Sequence, residues 1–158
     1  RYFNPAGAHP TGLIGEKPSA SPNNLMPHIA LVASGKLPHI NVYGNDYDTV
    51  DGTGVRDYIH VMDLASGHLS ALAFINKSKG FHIFNLGSGR GSSVLEMIKM
   101  FKKVSGKSIP YKVSSRRAGD ISISYTNPDK ARVELGWTSA LTLEDMCVSA
   151  WNFQKNYI

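Results

Sequence analysis

The residues best suited to chemistry are two arginines that stand beside glycines near predicted strands. Arg56 follows the glycine-rich stretch 51–54, and Arg117 lies in the loop sequence Arg-Arg-Ala-Gly-Asp. A guanidinium group can donate two parallel hydrogen bonds to phosphate oxygens, and neighbouring glycines let a ligand approach the backbone closely. This pattern indicates a site for a small anion such as a diphosphate. Each arginine could instead form a surface ion pair, Arg56 with Asp57 and Arg117 with Asp120. Such a pair would contribute little to stability.

Several other kinds of active site lack the residue spacing that they require. The six histidines form neither an HxH nor an HExxH pattern, so we expect no metal site. Cys147 is the single cysteine, which leaves no pair for a disulfide or a CxxC site. No Gly-x-Ser-x-Gly sequence is present, which argues against a serine hydrolase of that type.

The glycine-rich segment 86–91 invites comparison with a dinucleotide-binding loop. The fingerprint of such loops needs glycines spaced as G-x-G-x-x-G, but Ser92 stands three positions after Gly89. No acidic residue ends a strand about twenty positions further on, where a ribose contact would be expected. We therefore interpret the segment as a tight turn between a strand and a helix.

Composition places the chain among globular proteins. It has 158 residues, enough for one domain with its own core, and 42% of them are hydrophobic. No apolar run is long enough to cross a membrane. The net charge is +5, and the densest cluster, four lysines between residues 99 and 107, has the spacing of one solvated helix face. We therefore expect a cytoplasmic protein that binds neither membranes nor nucleic acids.

Hydrophobic periodicity and capping residues predict alternating strands and helices. Ile40 and Val42 alternate with other side chains, which is typical of a strand with two different faces. Ser93 and Glu96 form a capping box, and Pro128 suits the first position of a helix. The predicted strands cover residues 1–5, 39–43, 55–61, 81–86 and 110–113. The predicted helices begin at Asn23 or Asn24, Asp63, Ser93, Pro128 and Thr142. The first four end near Gly35, Gly80, Gly106 and Gly136, and the last carries apolar residues from Leu143 to Trp151.

This alternation predicts an α/β fold, although uneven spacing and long loops are more typical of a ligand-facing lobe than of a regular doubly wound sheet. We expect the helix after Asp63 to bury Leu64, Leu69 and Leu72 on its apolar side. The chain begins with Arg1, not Met, and within a predicted buried strand. We therefore expect it to be the C-terminal part of a longer protein.

Six separate segments, in order and spacing, make the chain similar to a known family. The longest, residues 51–61, reads Asp-Gly-Thr-Gly-Val-Arg-Asp-Tyr-Ile-His-Val, and the others are residues 1–5, 7–9, 22–27, 43–47 and 134–137. Together they resemble the UDP-glucose 4-epimerases of the extended short-chain dehydrogenase/reductase superfamily. Sister sugar-nucleotide epimerases and dehydratases share the Arg-Asp-Tyr core and stay an alternative. A basic nucleic-acid or protein-interaction domain is the alternative from a different class.

The resemblance implies a fold and a reaction. It implies the C-terminal substrate-binding part of an extended short-chain dehydrogenase/reductase, with the end of the Rossmann sheet and a smaller mixed α/β lobe. In this family, bound NAD oxidises the sugar at C4, the 4-keto sugar turns over, and UDP-glucose and UDP-galactose interconvert. The glycine loop for NAD and the catalytic Tyr-x-x-x-Lys pair would lie upstream of Arg1. The resemblance also implies a homodimer at full length and an isolated chain without activity.

The resemblance also assigns roles to individual residues, all of them in gripping the UDP-sugar. Tyr2 would lie beside the nicotinamide and the substrate, and Asp120 would accept hydrogen bonds from ribose hydroxyls. Arg56 and Arg117, with Ala118 and Gly119 next in the chain, would clamp the diphosphate. The remaining contacts to sugar, phosphate and uracil would come from Phe3, Asn4, Asn23, Asn24, Leu25, Asn41, Val42 and Tyr43.

Ser124 would control which sugars can turn over. It stands four positions after Asp120, where members of the family carry either a bulky tyrosine or a small residue beside the rotating sugar. A serine leaves room for an N-acetyl group at C2. The resemblance therefore implies interconversion of UDP-GlcNAc and UDP-GalNAc as well, unless Ser124 is only a small loop residue outside the site.

Overall fold

The computed structural model describes residues 1–18 and 22–157 and has the α/β architecture that the sequence predicts. Strands and helices are interspersed along the chain, and parallel pairings join strands that are distant in sequence. In chain order they are β1 (Asn4–Ala6), α1 (Leu25–Ala33), β2 (Ile40–Tyr43), β3 (Val55–His60), α2 (Val61–Ile75), β4 (Gly91–Ser93), α3 (Val94–Ser105), β5 (Tyr111–Ser114), β6 (Ile123–Ser124), α4 (Asp129–Leu135) and α5 (Leu143–Lys155).

Strand β3 is the centre of the larger sheet. Its C-terminal half pairs in parallel with β1, and its N-terminal half pairs with β4 on one side, antiparallel, and with β6 on the other, in parallel. Arg56 is opposite both Ser92 and Ser124 in these registers. Strands β2 and β5 form a separate two-stranded parallel sheet.

The main core lies where α1, α3 and α5 pack together. Ile29, Met97, Phe101 and Cys147 are fully buried there, and the ring of Trp151 meets that of Phe101 edge-on. Burial of this apolar surface is the principal stabilising contribution. Burial also raises the pKa of the Cys147 thiol to about 12, so this cysteine stays an unreactive thiol.

The capping residues predicted for two helices are confirmed. The Ser93 hydroxyl accepts from the backbone N–H of Glu96, and the Glu96 carboxylate accepts from the backbone N–H of Ser93. Helix α3 ends at Gly106 and α4 at Gly136, both with the left-handed backbone that glycine adopts readily.

The strand predicted at residues 81–86 is wrong for the described chain. Only Leu86 there forms a bridge, to Tyr2, while Phe81 is 90% exposed and Ile83 is 38% exposed. The run is apolar in composition, but only Phe84 and Leu86 pack into a core cluster, which also contains Trp137. A short apolar run therefore did not determine strand pairing.

The start of α2 and the face that it buries also differ from prediction. The capping residue is His60, whose ring Nδ1 accepts from the backbone N–H of Met62 at 3.1 Å. Asp63 lies in the first turn and accepts instead from the backbone N–H groups of Ala140 and Leu141. Leu69 and Leu72, expected to be buried, are 69% and 55% exposed.

His60 belongs to a buried hydrogen-bond network that ties β3 to α5. Because Nδ1 accepts from Met62, the ring proton is on Nε2, which donates to the Ser149 hydroxyl at 3.0 Å. Ser149 also accepts from the backbone N–H of Ala8 and donates to the carbonyl of Asp145. A protonated imidazole would point a second N–H at the N–H of Met62, so the network requires the neutral ring.

We expect the free energy of unfolding to fall as the pH is lowered from about 7 to about 5.5. Burial lowers the pKa of His60, against the opposing effect of the Asp63 and Asp145 carboxylates. As the pH falls past the ordinary pKa of histidine, His60 is therefore protonated in the unfolded chain but not yet in the folded chain. Protonation favours the unfolded chain, so stability is lost over this range of pH. Urea unfolding at both pH values measures the loss. His60→Asn keeps a capping acceptor and should flatten the pH dependence, whereas His68→Asn, at an exposed position, should not. An unchanged pH dependence in His60→Asn would refute the assignment.

Candidate functional site

A cavity of about 620 Å³ lies between β1, the segment before α1, strand β2 and the loop that follows β5. This volume is within the range of small-molecule sites. Nine of the residues predicted for the site line it: Asn4, Asn23, Asn24, Leu25, Asn41, Tyr43, Arg56, Arg117 and Asp120. The topology therefore brings together side chains from five separate parts of the chain.

Six other predicted residues lie outside the lining that the described residues form. Val42 is 1% exposed because β2 alternates, with Ile40 and Val42 turned to the core and their neighbours Asn41 and Tyr43 turned outward. The remaining five are at the chain start, in the exposed turn after Arg117, and on β6: Tyr2, Phe3, Ala118, Gly119 and Ser124. Their predicted contacts are not among the walls of this cavity.

Two guanidinium groups share one carboxylate at the cavity. Arg117 Nε donates to Asp120 Oδ2 at 2.9 Å, and Arg56 Nη2 lies 3.8 Å from Asp120 Oδ1. Arg56 is held further by a bond from Nη1 to its neighbour's carbonyl, that of Val55. Two positive charges face one negative charge, so the cluster carries net positive charge and retains unused N–H donors. Such a cluster suits an anion with several oxygen atoms.

An aromatic ring stands beside this cluster. The Arg117 guanidinium lies over the ring of Tyr43, 4.8 Å from its centroid, and Asn41 points outward from the same strand. A flat apolar face with an amide next to it can hold a planar heterocycle by stacking and hydrogen bonding. The arginine cluster and the aromatic ring are therefore adjacent.

Asn24 is held in place by a side chain that precedes it. Its amide Nδ2 donates to Glu16 Oε1 at 2.8 Å, which leaves one of its two N–H donors for a ligand. Asn24 is the residue before α1, but its side chain makes no capping bond to the helix. The sequence predicts that the Asn24 amide either caps the helix or faces a ligand, and its position in the cavity wall favours the second.

Tyr58 and Val94 also line the cavity, although they were not among the predicted site residues. Tyr58 stands two positions after Arg56 on β3, so strand periodicity places both side chains on one face and would have found it. Burial raises the pKa of Tyr58 to about 12, against the opposing effect of the nearby Arg56, so the phenol keeps its proton. It is a hydrogen-bond donor at the wall of the cavity.

The alternative in which Asp57 is a surface ion-pair partner of Arg56 is wrong. It is 0% exposed, and its carboxylate accepts four hydrogen bonds, from the backbone N–H groups of Ser88, Gly89 and Thr126 and from the Ser88 hydroxyl. The strand points Arg56 to the cavity and Asp57 to the opposite side. Asp57 thus attaches the glycine turn to β3.

The same bonds bear on whether the glycine turn can hold a dinucleotide. A loop of that kind binds a diphosphate with free backbone N–H groups. In this turn the N–H groups of Ser88 and Gly89 already donate to Asp57, and a β-carbon at Gly87 would approach Asp57 Oδ2 to 2.7 Å. The turn is therefore filled by the protein's own carboxylate and does not fit a dinucleotide, in agreement with its spacing.

Metal-binding clusters and membrane-spanning helices are both absent from the described residues 1–18 and 22–157. Within them, no group of three or more His, Cys, Asp or Glu side chains is placed to hold a metal ion. None of the helices there combines the length and the apolar character that crossing a membrane requires.

The family model for GDP-mannose 4,6 dehydratase matches residues 2–150 of the chain. The UDP-glucose 4-epimerase of Yersinia enterocolitica is 60% identical over 155 residues, which are 98% of this chain and 46% of that protein. The chain spans about half the length of the curated relatives that it matches.

Two solved structures share its fold closely. UDP-glucose-4-epimerase from Stenotrophomonas maltophila, with bound NAD and formylated UDP-arabinopyranose, superimposes with a TM-score of 0.97 at 50% identity. The match covers 99% of this chain and 47% of that protein. UDP-glucose 4-epimerase from Bifidobacterium longum, in complex with NAD+ and UDP, superimposes with a TM-score of 0.95 at 52% identity. The match covers 99% of this chain and 46% of that protein. These findings confirm the resemblance that the sequence motifs indicate.

Proposed function

The chain belongs to the GDP-mannose 4,6 dehydratase family, and within that family we propose that it forms the C-terminal substrate-binding region of a NAD-dependent UDP-glucose 4-epimerase. The proposed activity of the whole protein is the interconversion of UDP-glucose and UDP-galactose. The observation that carries this proposal is the pair Arg56 and Arg117 around Asp120 in a cavity of about 620 Å³. The names of the relatives and the ligands of the two solved structures support it.

In this proposal the residues of the chain hold the uridine diphosphate while the sugar moves. Arg56 and Arg117 bind the diphosphate oxygens, and the remaining oxygen lone pairs of Asp120 accept from ribose hydroxyls. The ring of Tyr43 and the backbone of Asn41 hold the uracil. Sugar and phosphate contacts are assigned to Phe3, Asn4, Asn23, Asn24 and Leu25, with Val42, Ala118 and Gly119 contributing backbone.

NAD is proposed as the cofactor because the two solved relatives bind it. Since the glycine turn at residues 87–91 does not fit a dinucleotide, we assign its binding to a part of the protein that this chain does not contain. We place Tyr2, which is 66% exposed, beside the nicotinamide of NAD. We further propose a cytoplasmic homodimer.

Calorimetric titration with nucleoside diphosphates tests the proposed function. The intact protein should bind UDP at one site per chain and should bind GDP much more weakly. Tighter binding of GDP would instead favour a GDP-sugar enzyme of the same family, which the description of the family model makes the second candidate. No binding of either nucleotide would reject both. The 158-residue chain alone should not convert UDP-galactose, and conversion above a buffer control would contradict its assignment as the binding region.

We expect Ser124→Tyr to remove activity on UDP-GlcNAc and UDP-GalNAc selectively. Ser124 is a small, half-buried side chain on β6, opposite Arg56 in register, and a tyrosine there would overlap an N-acetyl group that sweeps past. Overpacking of this kind costs about 1–3 kcal/mol, which is roughly 5- to 150-fold in rate. Initial rates on both substrate pairs measure the effect. The control is Ile123→Tyr, which faces the other side of β6 and is 45% exposed. Equal loss on both pairs, or no loss, would place Ser124 outside the sugar site.

A further inference from the structure

We propose that Arg116 is a positioning residue that holds Arg117 in place for the diphosphate. This inference rests on the proposed function, because it concerns how the same anion site is kept in its binding geometry. Arg116 is outside the cavity wall defined by the described residues, so its influence on a ligand must pass through its neighbours.

The loop that carries the anion site has little burial of its own. It follows β5, and residues 115–119 are all exposed. Apolar burial therefore cannot fix its conformation. Its position must come from specific contacts to the rest of the protein.

Arg116 makes most of those contacts. Its Nε donates to Asp46 Oδ1 at 2.8 Å, and its Nη2 donates to the backbone carbonyl of Asp46. Its guanidinium also lies over the ring of Tyr47, with Cζ 4.1 Å from the centroid. These bonds hold the pKa of the Asp46 carboxyl below its ordinary value. A planar guanidinium is thereby fixed in both direction and distance, which a simple ion pair would not achieve.

Tyr47, over whose ring the Arg116 guanidinium lies, is anchored in the fold. Tyr47 is 7% exposed, and its backbone N–H donates to the carbonyl of Gly52 within the turn between β2 and β3. Gly44 lets Tyr47 and Arg116 pack closely against the backbone at the end of β2. A β-carbon at Gly44 would lie 2.6 Å from the Tyr47 ring and 2.9 Å from Cγ of Arg116. The Gly44 φ of +83° is likewise one that glycine adopts readily.

Arg117 is the next residue along, and its own contacts depend on this anchor. With Arg116 fixed on Tyr47, Arg117 lies on Tyr43 and donates to Asp120, which in turn lies beside Arg56. Two arginine–tyrosine pairs thus join the exposed loop to β2 and the turn after it. Fixing the clamp before the ligand arrives reduces the ordering that binding must supply.

A double-mutant cycle on UDP binding tests this role in the intact protein. Arg116→Ala should weaken binding of UDP by about 5- to 20-fold, within the usual range of coupling between contacting residues. In an Arg117→Ala background the same change should weaken binding less than about twofold, because the residue being positioned is gone. Arg116→Lys should restore part of the affinity, since it keeps the charge but not the planar contacts. Asp46→Ala, at an exposed position that does not threaten folding, should weaken binding in the same direction.

The matched control is Arg132→Ala, which removes an exposed arginine paired with Asp129 away from the cavity and should leave UDP affinity unchanged. Equal weakening by Arg116→Ala with and without Arg117 would overturn the inference, because Arg116 would then act on the ligand independently. Unchanged affinity in both Arg116→Ala and Asp46→Ala would also overturn it. If the parent protein does not bind UDP, the proposed function is rejected and this inference with it. If the parent binds UDP but the Arg116 variants do not behave as expected, only the role of Arg116 is rejected.

Discussion

Replacing Asp57 with asparagine is expected to lower the free energy of unfolding by about 2–4 kcal/mol, through the buried N–H groups that it leaves without an acceptor. The carboxylate accepts on both oxygens, with Oδ1 facing two groups of Ser88 and Oδ2 facing the N–H groups of Gly89 and Thr126. An amide offers one oxygen and one NH2 group. In either orientation, therefore, at least one buried backbone N–H faces another N–H.

Urea unfolding of the two proteins measures this loss as a lower midpoint with the same slope. Asp129→Asn is the control, because Asp129 is an exposed acid paired with Arg132 and should change stability by less than about 0.5 kcal/mol. A loss no larger than that control would mean that Asp57 does not attach the glycine turn to β3.

Arg56→Ala is expected to weaken UDP binding by about 2–5 kcal/mol, or roughly 30-fold and more, since it leaves phosphate charge unpaired. Arg117→Ala should fall near the lower end of that range, because its side chain is 57% exposed while that of Arg56 is 22% exposed. Lysine at either position should recover only part of the affinity, since a point charge lacks the fork of donors.

Calorimetric titration with UDP gives these affinities, and thermal unfolding of each variant checks that the fold is intact. Arg132→Ala again serves as the control for loss of one surface positive charge. Affinity within threefold of the parent in both variants would remove the two arginines from the diphosphate site.

The sequence was sufficient for the α/β class, the capping box at Ser93 and the two faces of β2. These features follow from local rules, in which a side chain's neighbours in sequence decide its role. The motif resemblance also pointed to side chains that the fold gathers around one cavity, although their contacts with a ligand stay predictions. Tyr58 was missed even though its spacing from Arg56 predicts a shared face.

The errors arise where tertiary contacts decide the outcome. Nothing local shows that Asp57 is buried beneath a turn that begins thirty residues later, or that His60 caps α2 while Asp63 binds the segment at residues 140–141. The run at residues 81–86 is apolar, but Phe81 and Ile83 have no partner strand among the described residues and remain exposed. Burial and pairing at these positions depend on segments that are distant in the chain.

The parallel pairing of β2 with β5 has a consequence for the order in which the molecule folds. These strands are far apart in sequence, as are β1 and β3, and closing such long loops costs entropy before any contact is gained. The walls of the cavity are carried by these strands and by the loop after β5, so the cavity exists only once the slow long-range pairings are complete. Partly folded chains should therefore have no affinity for the nucleotide. In a refolding experiment, recovery of UDP binding should lag behind recovery of helical circular dichroism and mark the final step.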